Sequence, residues 1–193
     1  MAKLLFVLFA LMCLGMSGVQ ATPILYSAIL SGSNEVPANA SPGTGTAIVA
    51  YDPIAHTLSL DVTFSGLSGN TTAAHIHCCA PPGANAAVAT SLPSFLGFPA
   101  GVVSGLYSQV FDLTLASSFN AAFVAANGGT VLGAEAALSN GLAGGNAYLN
   151  IHTTAFPGGE IRGNLAPVPE PTTLGLIGLG LAGFGYARKR VAA

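Results

Sequence analysis

Thr57-Leu58-Ser59-Leu60-Asp61-Val62-Thr63-Phe64 decides how the rest of the chain is read. In an extended chain Leu58, Leu60, Val62 and Phe64 fall on one side, and Thr57, Ser59, Asp61 and Thr63 on the other. Strict alternation marks a strand with one face buried and one face wet. Working outward, further strands are expected at 24–30, 44–51, 73–78, 106–115, 147–153 and 160–165. Turn-forming clusters separate them roughly every 8 to 15 residues, the rhythm of an all-β domain. Asp52-Pro53, Gly66 to Asn70 and Phe156-Pro157-Gly158-Gly159 are such clusters, and 80–100, rich in Pro, Ala and Gly, is expected as a long loop. Between 117 and 140 the texture changes. Ser117-Ser118 is placed to cap a helix carrying Phe119, Ala122, Phe123 and Ala126 at helical spacing. Asn127-Gly128-Gly129 ends it, and 130–140 reads as a second short helix. The expectation is an all-β domain with a short helical insertion at about 117–140.

The ends carry different instructions. Lys3 followed by the apolar run Leu4 to Leu14, with Val19-Gln20-Ala21 behind it, reads as a signal peptide over 1–21. Signal peptidase is expected to cut between Ala21 and Thr22. At the other end, Val168-Pro169-Glu170-Pro171 precedes an apolar stretch from Thr172 to Ala187 and the basic cluster Arg188-Lys189-Arg190. As a helix the stretch is about 24 Å long, short of a hydrocarbon core of about 30 Å, which suits a temporary membrane span. The basic cluster keeps its end cytoplasmic. These residues, 168–193, resemble a PEP-CTERM sorting signal with its motif at Pro169, Glu170 and Pro171. The resemblance implies a Gram-negative exporter of exopolysaccharide and a partner, an exosortase-type membrane protease that recognises Pro-Glu-Pro.

What remains, 22–167, has the size of one domain. Its acids are Glu35, Asp52, Asp61, Asp112, Glu135 and Glu160, against the single base Arg162, a formal charge of −5. Nucleic-acid binding needs basic side chains to displace counterions, so that class is excluded, and anionic lipid is an equally poor partner. The few charges and the many Ala, Ser, Thr, Gly and Asn suit an extracellular surface. Beyond the signal, Cys78 and Cys79 are the only cysteines. Neighbouring Cα atoms are held at about 3.8 Å, below the usual disulfide range of about 4.4–6.8 Å. A bridge between them is therefore vicinal and strained; a bridge to another chain and free thiols stay open, in a compartment that favours oxidation.

Two constellations carry chemistry. In Ala74-His75-Ile76-His77-Cys78-Cys79, an extended chain points His75, His77 and Cys79 to one face. Two histidines at i and i+2 of a strand reach one metal, and imidazole suits copper, zinc or iron. His152, on Tyr148-Leu149-Asn150-Ile151-His152, is the third candidate ligand if the sheet brings the two strands together. The alternative is a polar seam in which the histidines bond to backbone and to Asn150. His56, in the turn after Pro53, is expected to be merely exposed. The second constellation pairs Arg162 with Glu160, two residues away on the same face; a structural ion pair is expected.

Glu35-Val36-Pro37, Thr72-Ala73-Ala74-His75-Ile76-His77 and Tyr148-Leu149-Asn150-Ile151-His152-Thr153, followed by Pro157-Gly158-Gly159-Glu160-Ile161-Arg162-Gly163, occur in the order of the CHRD domain, which the chain resembles over about 24–165. The resemblance implies an immunoglobulin-like, Greek-key β-sandwich and implies no activity. A looser likeness links His75, His77, His152 and Arg162 to copper–zinc superoxide dismutase. No zinc loop of His and Asp lies between them, and fold likeness does not transfer function. The leading expectation is a non-enzymatic protein. It is exported, held briefly at the inner membrane by its tail, and delivered to the cell surface or extracellular matrix beside exopolysaccharide in a biofilm. No nucleophile motif and no carboxylate pair points to catalysis, and no cofactor is required. The alternative is a copper- or zinc-binding β-domain built on His75, His77 and His152, with help from Cys79.

Overall fold

The computed structural model describes residues 22–169 together with 179–180. Eight strands form one antiparallel sheet: β1 (Ile24–Ser31), β2 (Thr44–Asp52), β3 (Thr57–Ser65), β4 (Thr71–Cys78), β5 (Gly105–Asp112), β6 (Ala147–Thr153), β7 (Ile161–Asn164) and the two-residue β8 (Ala166–Pro167). Their order is β4-β6-β7-β1-β2-β3-β5, with β8 paired to β1. The alternation of Thr57 to Phe64 is realised as read: Leu58, Leu60, Val62 and Phe64 are buried, and Asp61 and Thr63 are exposed.

The expected division into two facing sheets is corrected. Arg162 of β7 is partnered by Asn150 of β6 on one side and by Ser31 of β1 on the other. Hydrogen bonding is therefore continuous through β7, and the sheet is a curled half-barrel rather than a sandwich. It wraps one apolar core, to which β4 at one edge gives Ala74 and Ile76 and β5 at the other gives Tyr107 and Phe111.

The segment 80–100 does more than connect. It runs back along the free edge of β4, with Cys78 N donating to Ala87 O (3.0 Å), Ala89 N to Ile76 O (2.9 Å) and Phe95 N to Ala74 O (3.0 Å). Thr90 Oγ1 and Ser94 Oγ accept from the edge-facing amides of Ile76 and Ala74. An uncovered edge would leave these groups unpaired.

The helical insertion is present with different caps. Ala116–Ser118 is a single 3-10 turn, and helix α1 (Ala121–Ala126) is capped by Asn120, whose side chain accepts from Ala122 N. Helix α2 (Val131–Ala143) starts at Thr130, whose hydroxyl accepts from Gly133 N, and runs past residue 140. Phe123, Ala134, Leu138 and Leu142 seal the core from this side. The signal segment, Glu170, Pro171 and the expected span at 172–187 lie outside the described residues, save Leu179 and Gly180, which are helical; Thr22 and Pro169 are exposed. No helix among the described residues is long and apolar enough to cross a membrane.

Candidate metal centre

Period-two alternation continues through β4 and β6 and sets the site. Ala74, Ile76, Leu149 and Ile151 enter the core, so His75, His77, Tyr148, Asn150 and His152 occupy the opposite face. The register places His75 opposite Asn150, His77 opposite Tyr148 and Ala73 opposite His152. The three imidazoles converge as read from the sequence. Each offers a ring nitrogen, and these nitrogens lie within 4.8 Å of one another.

Their tautomers follow from their partners. His75 Nε2 lies 2.9 Å from Pro93 O, His77 Nδ1 2.9 Å from Ala86 O and His152 Nδ1 3.0 Å from Pro157 O. A carbonyl only accepts, so each of these nitrogens carries the proton. The other three, His75 Nδ1, His77 Nε2 and His152 Nε2, are bare lone pairs, buried and without a partner. Burial pushes His75 down to about 4, helped by His152 and opposed by the bond to Pro93. Burial also holds His77 and His152 below the ordinary histidine range. All three shifts favour neutral imidazole, the form in which histidine ligates metals. A backbone carbonyl fixing the second ring nitrogen is the usual support of a metal-bound histidine. The polar seam of the alternative accounts for one nitrogen of each ring and leaves the other three without a partner.

Around the histidines the arrangement departs from the sequence reading. Glu160 and Arg162 do not pair. The Glu160 carboxylate accepts from Ser41 Oγ (2.6 Å), Thr153 Oγ1 and the amides of Ser68 and Gly69. Burial raises its pKa, but these bonds outweigh burial and hold it below the carboxylate range. Arg162 instead donates from Nε to Asn34 O (2.6 Å) and from Nη1 to Asn85 Oδ1 (2.8 Å), and lies over the Tyr148 ring at 4.4 Å. Two loops distant in sequence supply the partners, which spacing along one strand does not reveal. Cys79 also leaves the histidines. Cys78 and Cys79 are bridged to each other, and Cys79 Sγ lies 3.4 Å from Ala137 O of α2. A Cβ on Gly141 would collide with both sulfurs, so glycine there makes room for the bridge.

Glu35 was not singled out by its chemistry; its only signal was its place in the Glu35-Val36-Pro37 motif. It is 7 % exposed, and burial pushes it up to about 7, against the pull of Arg162 and Asn150. Its Oε1 and Asn150 Oδ1 are also buried without partners. Gly159, at φ 135°, brings the backbone against both; a Cβ there would stand 2.7 Å from Asn150 Oδ1 and 2.8 Å from Glu35 Oε1. Elsewhere, His56 is corrected from a free side chain: its Nδ1 is 2.9 Å from both oxygens of buried Glu135, which also accepts from Tyr51 Oη at 2.9 Å. A larger cleft of about 520 Å³ between 91–97 and β5 has Asp112 as its one acid and no histidine.

A half-barrel with histidines on paired strands and a buried arginine beside them defines a class that the family comparison makes specific. The CHRD domain model matches residues 26–165, and the chain belongs to the CHRD domain family. The PEP-CTERM protein-sorting motif matches residues 167–190, directly behind the domain. The protein is therefore an exported one, sorted toward the cell surface by an exosortase-type system. No curated protein and no solved structure matches the chain.

Proposed function

We propose that the CHRD domain of this exported protein is a metal-binding module carried to the surface of a Gram-negative cell. The observation behind this reading is that His75, His77 and His152 each bring a ring nitrogen within 4.8 Å of the others while His75 Nδ1, His77 Nε2 and His152 Nε2 are buried without a hydrogen-bond partner. Such a group is mutually repulsive without a cation, and burying unsatisfied acceptors costs about 1–3 kcal/mol each. A bound ion turns that cost into ligation. Three neutral imidazoles without a thiolate or an inner carboxylate suit zinc or copper. The module is read as binding rather than catalytic, since no nucleophile and no carboxylate pair accompanies the histidines. Delivery follows the tail: an intermediate held at the inner membrane, then the surface or matrix, with exopolysaccharide as the neighbour.

The test is metal analysis of the mature protein from its own host, purified without chelators. The reading expects about one zinc or copper per chain, and loss of that ion in His152→Ala with the fold intact by circular dichroism. Trace metal at the same level in both proteins would overturn it.

A further inference from the structure

The geometry points to an open fourth position on the metal, holding a hydrogen-donating oxygen ligand (water or hydroxide) against Glu35 and Asn150 and reached from solvent through the adjoining cleft. This rests on the metal reading of the three histidines and extends it to what the ion binds.

Among the described residues, five buried side-chain atoms lack a partner: the three imidazole nitrogens, and Glu35 Oε1 and Asn150 Oδ1, which meet at Gly159 on the strand pair that carries the histidines. A cation satisfies the nitrogens. It does not by itself explain why two oxygen acceptors were left bare beside them. Asn150 stands directly across β4–β6 from His75 and two residues before His152, on the same face. Directly paired residues have Cβ atoms about 4.5–5.5 Å apart, so Asn150 stands beside the ion that His75 would hold. Glu35 Oε1 meets Asn150 at the Gly159 backbone, where a methyl group would fill the space between them. Asn150 Nδ2 stands at the same spot and serves Glu35 as one donor; Asn150 Oδ1 is left without one, and an oxygen ligand on a metal is a strengthened O–H donor. Three protein ligands with a water in the fourth place is also the arrangement that separates reactive zinc sites from closed structural ones.

A cleft lies next to the site. Glu35, Val36 and Pro37 on one wall and Phe156, Pro157 and Gly159 on the other line a cleft of about 340 Å³. Its walls adjoin the site twice, through the Glu35 carboxyl and through Pro157, whose carbonyl holds His152. The occupant is defined by chemistry. An acceptor rim with a carboxylate favours a neutral or weakly charged ligand bearing O–H and disfavours a bare anion.

The experiment uses Cu²⁺ added to the full-length protein, with azide as the probe at about pH 8.5, above the ordinary carboxylate range. Copper stoichiometry, exchangeable-proton couplings in D₂O and the azide-to-copper absorption band are read on wild type and Glu35→Gln. Expected are about one copper in both proteins, strongly coupled exchangeable protons on the wild-type copper beyond those of the imidazole N–H groups, and azide binding about tenfold tighter in Glu35→Gln once the like charge is gone. Bound copper whose only exchangeable protons are the weakly coupled imidazole N–H protons, and that gives no azide response, would overturn the open position. Loss of copper in Glu35→Gln would make Glu35 a direct ligand and overturn it equally. The proton couplings of the wild type decide the matter should the variant fail to fold. Absence of copper from the wild type would instead overturn the metal reading first, and this inference with it.

Discussion

His77 and Tyr148 face each other across β4 and β6 and stack flat, with ring centroids 4.8 Å apart and planes 6° from parallel. Arg162 lies over the same Tyr148 ring. One candidate ligand is thus held in plane by a chain of contacts that ends at the only base of the domain. Removing the arginine should be felt at the histidine.

Arg162→Met should destabilise the domain by about 3 kcal/mol, since a buried charge-assisted bond is worth about 1.5–3 kcal/mol and more than one is lost. Arg162→Lys should recover little, because a point charge does not replace a fork that spans Asn34 and Asn85. Urea unfolding of the three proteins measures both, and weaker zinc binding by Arg162→Lys tests the link to His77.

The metal-free protein should lose stability in acid with a defined sign. His75 is pushed down to about 4 in the fold against an ordinary value of about 6.5. Between those values the unfolded chain binds the extra proton, so stability rises with pH across that window. Glu35, raised to about 7, works oppositely: its contribution is complete below the ordinary carboxylate value and is lost as pH climbs through 7. Glu35→Gln should therefore steepen the rise between about pH 4.5 and 6.5. Urea midpoints across this range check it; an unchanged slope would contradict the burial assigned to Glu35.

Glu135 ties α2 to the β2–β3 turn through His56 and to the core through Tyr51. Glu135→Ala leaves the Tyr51 hydroxyl without its acceptor, at a cost of about 1–3 kcal/mol. Burial and the Glu135 carboxylate push Tyr51 up to about 12. In Glu135→Ala its ultraviolet titration should move toward the ordinary tyrosine value.

Gly141→Ala should destabilise by about 1–3 kcal/mol, the usual cost of overpacking, because its methyl group meets both cysteine sulfurs. Cys79→Ala in the same chain should relieve part of that cost. The coupling in a double-mutant cycle of thermal melts separates this clash from a general loss of helix.

In the sorting tail, Glu170→Ala should leave full-length protein in the membrane fraction if the protease reads that carboxylate. Immunoblots of fractionated cells decide it, and normal processing would contradict the reading.

The sequence carried the strands and the histidine cluster because both obey one local rule. Alternation at 57–64, 73–78 and 147–153 sorts side chains between two faces, and the same alternation puts His75, His77 and His152 together once β4 and β6 pair. What it did not carry depends on distant partners. Arg162 turned to Asn34 and Asn85, and Glu160 to Ser41, Ser68 and Gly69, leaving the expected pair apart. His56, at φ 53°, meets a glutamate 79 positions away. The short helix found its cap at Asn120 rather than Ser117-Ser118, since Ala116–Ser118 had already turned. The single sheet follows from β7 joining β6 to β1, a pairing with no local mark.

The most direct measurement is an anomalous difference map from crystals soaked in zinc. One peak is predicted about 2.0–2.1 Å from each of three nitrogens, with the rings drawn closer than their present spacing of up to 4.8 Å: Nδ1 of His75 and Nε2 of His77 and His152. Ordered crystals soaked to zinc saturation with no peak between these rings would contradict it.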